Sequence, residues 1–106
     1  MDALPPAIAD HIDEIRALCV RFEVKRLGIF GSAVKGTFDP NTSDVDFVVE
    51  FFPRGDPVTA GAKTLEFLAA LEQLLGRSVD LLNRAYLRNP YLREELDETQ
   101  RELYAA

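Results

Sequence analysis

The chain has 106 residues, 47% of them hydrophobic and 28% charged, with a formal net charge of −6. That balance suits one soluble domain, residues 1–106, with a single core. Scattered Lys and Arg in an acidic chain argue against a broad nucleic-acid surface, and a lone cysteine, Cys19, excludes an internal disulfide.

Residues 1–10 are acidic and lack a basic, apolar leader, so no signal peptide is expected. No apolar run is long enough to span a bilayer. A reducing, cytoplasmic compartment fits the cysteine usage. One Cys and one His (His11) make a zinc site unexpected.

Residues 5–22 predict a helix, because Ile8, Ile12, Ile15, Cys19 and Phe22 recur at spacings of three and four. Cys19 then belongs to the core, and His11 to the solvated surface. "VKRLGIF", residues 24–30, predicts a strand that Gly31 ends. "SAVK" reads as one turn of helix closed by Gly36, and "GTFDPNTS" as a loop. "DVDFVVEFF" is a second strand, interrupted afterwards by Pro53, Gly55 and Pro57. A second long helix is expected over about 60–75, with Leu65, Leu68, Leu71 or Glu72, and Leu75 on its period and Gly76 as its stop. "SVDLLN" is a third strand. Asn89-Pro90 signals the start of a last helix, with Leu92, Leu96 and Leu103 on one side. The alternation predicts an α/β (α+β) fold, a small mixed sheet flanked by helices.

Side chains alternate along a strand, so Asp44 and Asp46 share one face while Val45 and Phe47 face the core. At about 6 Å and an effective dielectric of 20–80, two such carboxylates repel by roughly 0.7–3 kcal/mol. A divalent cation would reverse that sign, and hard oxygen donors select Mg²⁺, with Mn²⁺ as the substitute. Asp80 lies in the middle of an apolar strand, where a charge is costly unless paired or exposed. If the third strand lies beside the second, Asp80 joins the pair as a third ligand. Gly31-Ser32, after a strand and before a helical turn, offers backbone N–H groups and a hydroxyl to an anion. Lys35, one turn further, is the best candidate to neutralise a triphosphate. Three carboxylates beside a phosphate-binding turn suit two-metal phosphoryl chemistry.

Taken together, "GSAVKG", "SDVDFVVEF" and "SVDLL" resemble the minimal nucleotidyltransferases of the DNA polymerase β superfamily. More narrowly, the chain is similar to the small MNT-type antitoxins paired with HEPN-domain toxins. Eleven residues separate Ser32 from Asp44 here, one more than in the commonest form of the motif. The resemblance implies the polymerase β-like fold and a protein adenylyltransferase-like enzyme. Asp44, Asp46 and Asp80 would hold two Mg²⁺ ions, and Gly31 and Ser32 the outgoing phosphates. It implies transfer of a nucleoside monophosphate, AMP from ATP, to a hydroxyl of a partner HEPN toxin. No second substrate-binding domain is visible, which favours a protein acceptor over a small molecule. The rival expectation is a binding antitoxin that silences its toxin by contact alone. Base specificity and oligomeric state stay open.

Overall fold

The second strand, β2 (Val45–Phe51), holds the centre of the architecture. In the computed structural model, which describes residues 4–39, 41–53 and 55–106, β2 pairs antiparallel with β1 (Val24–Phe30) and parallel with β3 (Val79–Asn83). A fourth strand, β4 (Arg101–Ala105), lies antiparallel on the other side of β1, giving the order β3-β2-β1-β4. The sheet is mixed, as expected. Parallel neighbours need a long crossover, and the helix Pro57–Leu75 supplies it between β2 and β3. β1 and β2 are joined through the single helical turn Ser32–Lys35 and a loop. Position 40 of that predicted loop lies outside the described residues.

The predicted first helix is two segments, α1 (Pro6–Ala9) and α2 (Ile12–Arg21). The His11 N–H bonds to the Ile8 carbonyl three residues back, at 3.0 Å, which tightens the chain and ends α1. The turn lets Ile8 reach the core beside Ile15 and Cys19, all fully buried. His11 is half-buried at the start of α2, not solvated, with Nδ1 3.6 Å from Glu14 Oε2. The turn Ser32–Lys35 is α3, and Pro57–Leu75 is α4. Pro57, read from sequence as an interruption, is the first residue of α4. Asp56 caps it by accepting the Thr59 N–H at 3.1 Å. The buried face of α4 is Phe67, Leu71 and Leu75, whereas Leu65 is 67% exposed. Leu71, Leu75 and the partly buried Leu68 fall on the core side as their spacing suggested, but Leu65 does not, and Phe67 was not read as part of the stripe. Phe67 settles it, with its ring against Phe22 at 5.4 Å and Phe51 at 5.9 Å.

One face of the sheet, Leu27, Ile29, Val45, Phe47, Val49, Val79 and Leu103, packs on these helices. An irregular register between Val24 and Arg26 lets Val24 and Leu27, three apart, both join it.

The largest departure is at the C-terminal end. The last helix, α5 (Pro90–Thr99), starts as expected, with Asn89 Oδ1 accepting the Tyr91 N–H at 2.9 Å. It stops at Thr99, and Leu103 is on β4, not on the helix. Leu96 and Leu103 are seven apart, a spacing that suits a helix. A strand satisfies more here, because β1 would otherwise leave one edge of backbone donors and acceptors unpaired. Leu103 enters the core, its carbonyl accepts from Arg16 Nε at 3.0 Å, and Arg26 pairs with Glu102 at 3.0 Å.

The helix α5 covers part of the opposite sheet face. Leu96 and Val48 are buried there, and Gln100 lies against Gly28, where any Cβ would collide with the glutamine side chain. Arg84 ties the helix down, with Nε 3.0 Å and Nη2 2.6 Å from the Asp97 carboxylate and Nη1 3.9 Å from Glu50. Replacing Arg84 by Met should cost about 0.5–1.5 kcal/mol at neutral pH, the range for a bidentate, partly exposed pair. The Arg84 hydrogen bond holds the Asp97 carboxyl below its usual range. A depressed carboxyl stabilises the fold above its unfolded pKa and loses that effect as pH falls through its folded pKa. Urea titrations at neutral and acid pH should therefore show the gap between wild type and Arg84→Met closing in acid. A gap that persists in acid would refute this account.

Glu23, the residue after the Phe22 cap of α2, has φ of 58°, a left-handed position usually taken by glycine. Its carboxylate lies 3.9 Å from Lys63 in an exposed pair that adds little. Glu23→Gly should raise stability by up to about 1 kcal/mol, read as a higher urea midpoint. A lower midpoint would show that the side chain contributes more than its backbone costs.

Candidate functional site

β2 enters the sheet from a compact turn. Asp39 Oδ1 accepts the Asn41 N–H at 2.8 Å, and the Asp39 N–H donates to Ser43 Oγ at 2.9 Å. The Ser43 N–H returns to the Asp39 carbonyl at 2.8 Å. These bonds lie just before Asp44, which is exposed at the start of the strand. Val45 and Phe47 turn into the core at 0% exposure, so Asp46 turns to the other face.

The parallel pairing sets Asp46 directly opposite Asp80. The Val45 N–H bonds to the Ser78 carbonyl at 3.2 Å where the two strands begin, and the Val79 N–H to Glu72 Oε2 at 3.1 Å ties the start of β3 to the helix Pro57–Leu75. Glu72, on α4, was not singled out in the sequence as an anchor for the strand; no local pattern marks it. The Asp46 carboxyl is held above its usual range. Burial is the largest cause, followed by a hydrogen bond with Asp80, the charge of Asp80 and the charge of Asp44. The three predicted carboxylates thus act on one another. Asp46 and Asp80 touch, while Asp44 acts through its charge from an exposed position. Among the described residues, no group of three or more Asp, Glu, His or Cys side chains is placed so that it could hold a metal ion.

In the antiparallel register Asp46 also faces Phe30, one residue before Gly31. Gly31 has φ of 73°, and a Cβ on it would overlap the Asp46 carboxylate. Only glycine lets this turn pass so close. Its carbonyl accepts the N–H groups of Val34 and Lys35, each at 3.1 Å, which closes α3. Gly36, at φ of 79°, ends the turn. Ser32 is half-buried at the first position of α3, and Lys35 is exposed at its end. The donor set is all hard oxygen and carries mutual repulsion, which fits Mg²⁺ or Mn²⁺ better than a soft metal.

Beside this turn runs a cleft of about 320 Å³, lined by Phe30, Gly31 and Lys35 at one side and by Leu82, Leu92 and Leu96 at the other. The sequence held one clue to it. Leu82 is two residues beyond Asp80 and so shares its face. The contribution of α5 depends on how that helix docks, which no local pattern reveals. No helix among the described residues is long and apolar enough to cross a membrane.

A family model for the nucleotidyltransferase domain matches residues 12–101. A Thermococcus cleftensis protein named protein adenylyltransferase MntA is 32% identical over 98 residues, 92% of this chain and 91% of that protein. A solved structure carrying the provisional description of a minimal nucleotidyltransferase is similar with a TM-score of 0.73 and 29% identity, covering 88% of this chain and 89% of the other. A chain in the complex of tri-AMPylated Shewanella oneidensis HEPN toxin with MNT antitoxin shares the fold, with a TM-score of 0.65 at 17% identity, covering 92% of this chain and 72% of that one. The family match takes in every residue from Gly31 to Asp80, and the chain belongs to the nucleotidyltransferase domain family.

Proposed function

We propose that this nucleotidyltransferase moves AMP from ATP to a hydroxyl of a partner protein, and that the acceptor is a HEPN toxin which the modification silences. The observation that carries the reading is the Asp46–Asp80 pairing, set in register beside Asp44 and against Gly31. A domain with only a structural role has no physical reason to keep that repulsion. The named activity of the MntA relative and the AMPylated toxin in the related complex support AMP and a protein acceptor for this chain. Residues 1–106 act in this reading as one catalytic domain.

The Gly31-Ser32 turn receives the outgoing phosphates, with the Ser32 hydroxyl donating to a phosphate oxygen and Lys35 adding positive charge. Asp44, Asp46 and Asp80 would hold divalent metal, which when bound offsets phosphate charge and acidifies the acceptor hydroxyl. The acceptor oxygen forms its bond to the α-phosphorus, the bond to the bridging oxygen breaks, and pyrophosphate leaves. Asp80, exposed at the edge strand, takes the acceptor proton on its carboxylate.

Incubation with α-labelled ATP, Mg²⁺ and the HEPN-type toxin should label the toxin and release pyrophosphate. Asp46→Asn should reduce that labelling at least about a hundredfold while leaving the complex intact on gel filtration. If the variant still neutralises the toxin without labelling it, contact alone is the mechanism, and the catalytic reading falls.

Metal and pH responses give a second test. A carboxyl whose folded pKa is raised favours the fold below its unfolded pKa, and that advantage is lost as pH rises through the folded value. Without metal, the wild type should therefore lose stability as Asp46 ionises. Asp46→Asn should remove that slope and raise metal-free stability at pH 7 by about 0.5–1 kcal/mol, discounted for solvent screening. Mg²⁺ should raise the melting temperature of the wild type far more than that of the variant. Equal responses to Mg²⁺ and EDTA in both proteins would refute the metal assignment.

A further inference from the structure

We propose that the cleft between β3 and α5 seats the nucleobase and that Glu95 selects bases carrying an exocyclic amino group. This rests on the nucleotidyl-transfer reading. The cleft is continuous with Gly31 and Lys35, where the phosphates are placed, and it extends over Leu82 toward α5. Phe30 and Leu82 share the sheet face of Asp46 and Asp80, so the cleft begins where the carboxylates end. Its walls are apolar and aromatic, which suits the flat faces of a base. Its polarity runs from a cation, Lys35, at the phosphate end to an anion, Glu95, on α5.

The polar groups on the α5 side set the selectivity. The Glu95 carboxylate makes no ion pair among the described residues and can only accept hydrogen bonds when ionised. Thr99 also lines the cleft, but its Oγ1 hydrogen is already donated to the Glu95 carbonyl at 2.8 Å. What Thr99 has left is acceptor capacity. Both groups therefore call for donors on the ligand. Adenine, cytosine and guanine each present an exocyclic amino group, whereas uracil offers a single ring N–H flanked by two carbonyl oxygens, which would face these acceptors unpaired. A site of this kind rejects the analogue that lacks the donor.

The test is the affinity of the full chain, with Mg²⁺, for the non-hydrolysable α,β-methylene analogues of ATP, GTP, CTP and UTP. The wild type should bind the first three at least about tenfold more tightly than the UTP analogue. Glu95→Gln, whose amide can donate to a uracil carbonyl, should shrink that difference to about twofold or less. Leu92 is 52% exposed, so Leu92→Ala should fold normally. It should weaken all four analogues by a similar factor, about threefold or more, without changing their order. A wild type that binds all four alike, or a preference unchanged in Glu95→Gln, overturns the role of Glu95. Affinities unchanged in Leu92→Ala overturn the cleft as the base site. If the wild type binds none of the four, the nucleotidyl-transfer reading itself fails, and the base site with it.

Discussion

Everything at the site depends on the parallel register of β2 and β3. A slip of one residue would turn Asp80 toward the core and move Val79 or Leu81 to the carboxylate face. The register opposes the local electrostatics, since it sets Asp46 opposite Asp80; burial first, and the neighbouring Asp80 next, hold the Asp46 carboxyl above its usual range. What outweighs that cost is the apolar side of the same strands. Val45, Phe47 and Val49 are fully buried and Val79 nearly so. At about 1.5–3 kcal/mol for each large apolar side chain buried, the core face exceeds the repulsion several times over. Glu72 supports the same end of β3 from α4, by receiving the Val79 N–H that has to be satisfied where the strand begins.

The sheet thus divides its two faces between stability and chemistry. The face toward α1, α2 and α4 carries the main core. The opposite face is closed only in part, by α5 over Val48, Gly28 and Leu82. Its remaining end, with Asp46, Asp80 and Phe30, is left for a ligand. α5 therefore has a double role: it removes Leu96 and Val48 from water, and its exposed edge becomes a wall of the cleft. The Arg84–Asp97 pair, at 2.6–3.0 Å, fixes where that wall stands.

β1, β2 and β3 and the turns between them were legible because their signals are local. Alternation in "DVDFVVEFF" separates core from carboxylate face within a few residues, and Gly31, Gly36 and Gly76 each sit where φ is positive. Asn89-Pro90 likewise carries its own chemistry as a cap. The signals that failed were those decided by packing at a distance. Leu103 follows Leu96 at helical spacing, yet the open edge of β1 draws it into a strand. Leu65 has leucine neighbours on its period, yet Phe22 and Phe51 choose the Phe67 face instead. His11 has no marker in sequence for the bond to Ile8 that splits the first helix. The cleft beside Gly31 belongs with these, because β1, α3, β3 and α5 each contribute to it from separate parts of the chain.

Gly31 links the two charged halves of the proposed site. Because it lacks a side chain, the phosphate turn lies against Asp46 instead of standing off from it. That closeness would place a triphosphate, itself strongly negative, beside three carboxylates. Among the described residues, Lys35 is the one cation lining the cleft, and it is exposed, so in water its attraction is screened. The chain's own charges therefore do not balance the charge it is built to receive. Under the proposed function, nucleotide and divalent cation enter as one thermodynamic unit, each raising the affinity for the other by the same factor. An arrangement that is repulsive when empty and balanced only when fully loaded keeps the carboxylates from settling on a structural partner within the fold.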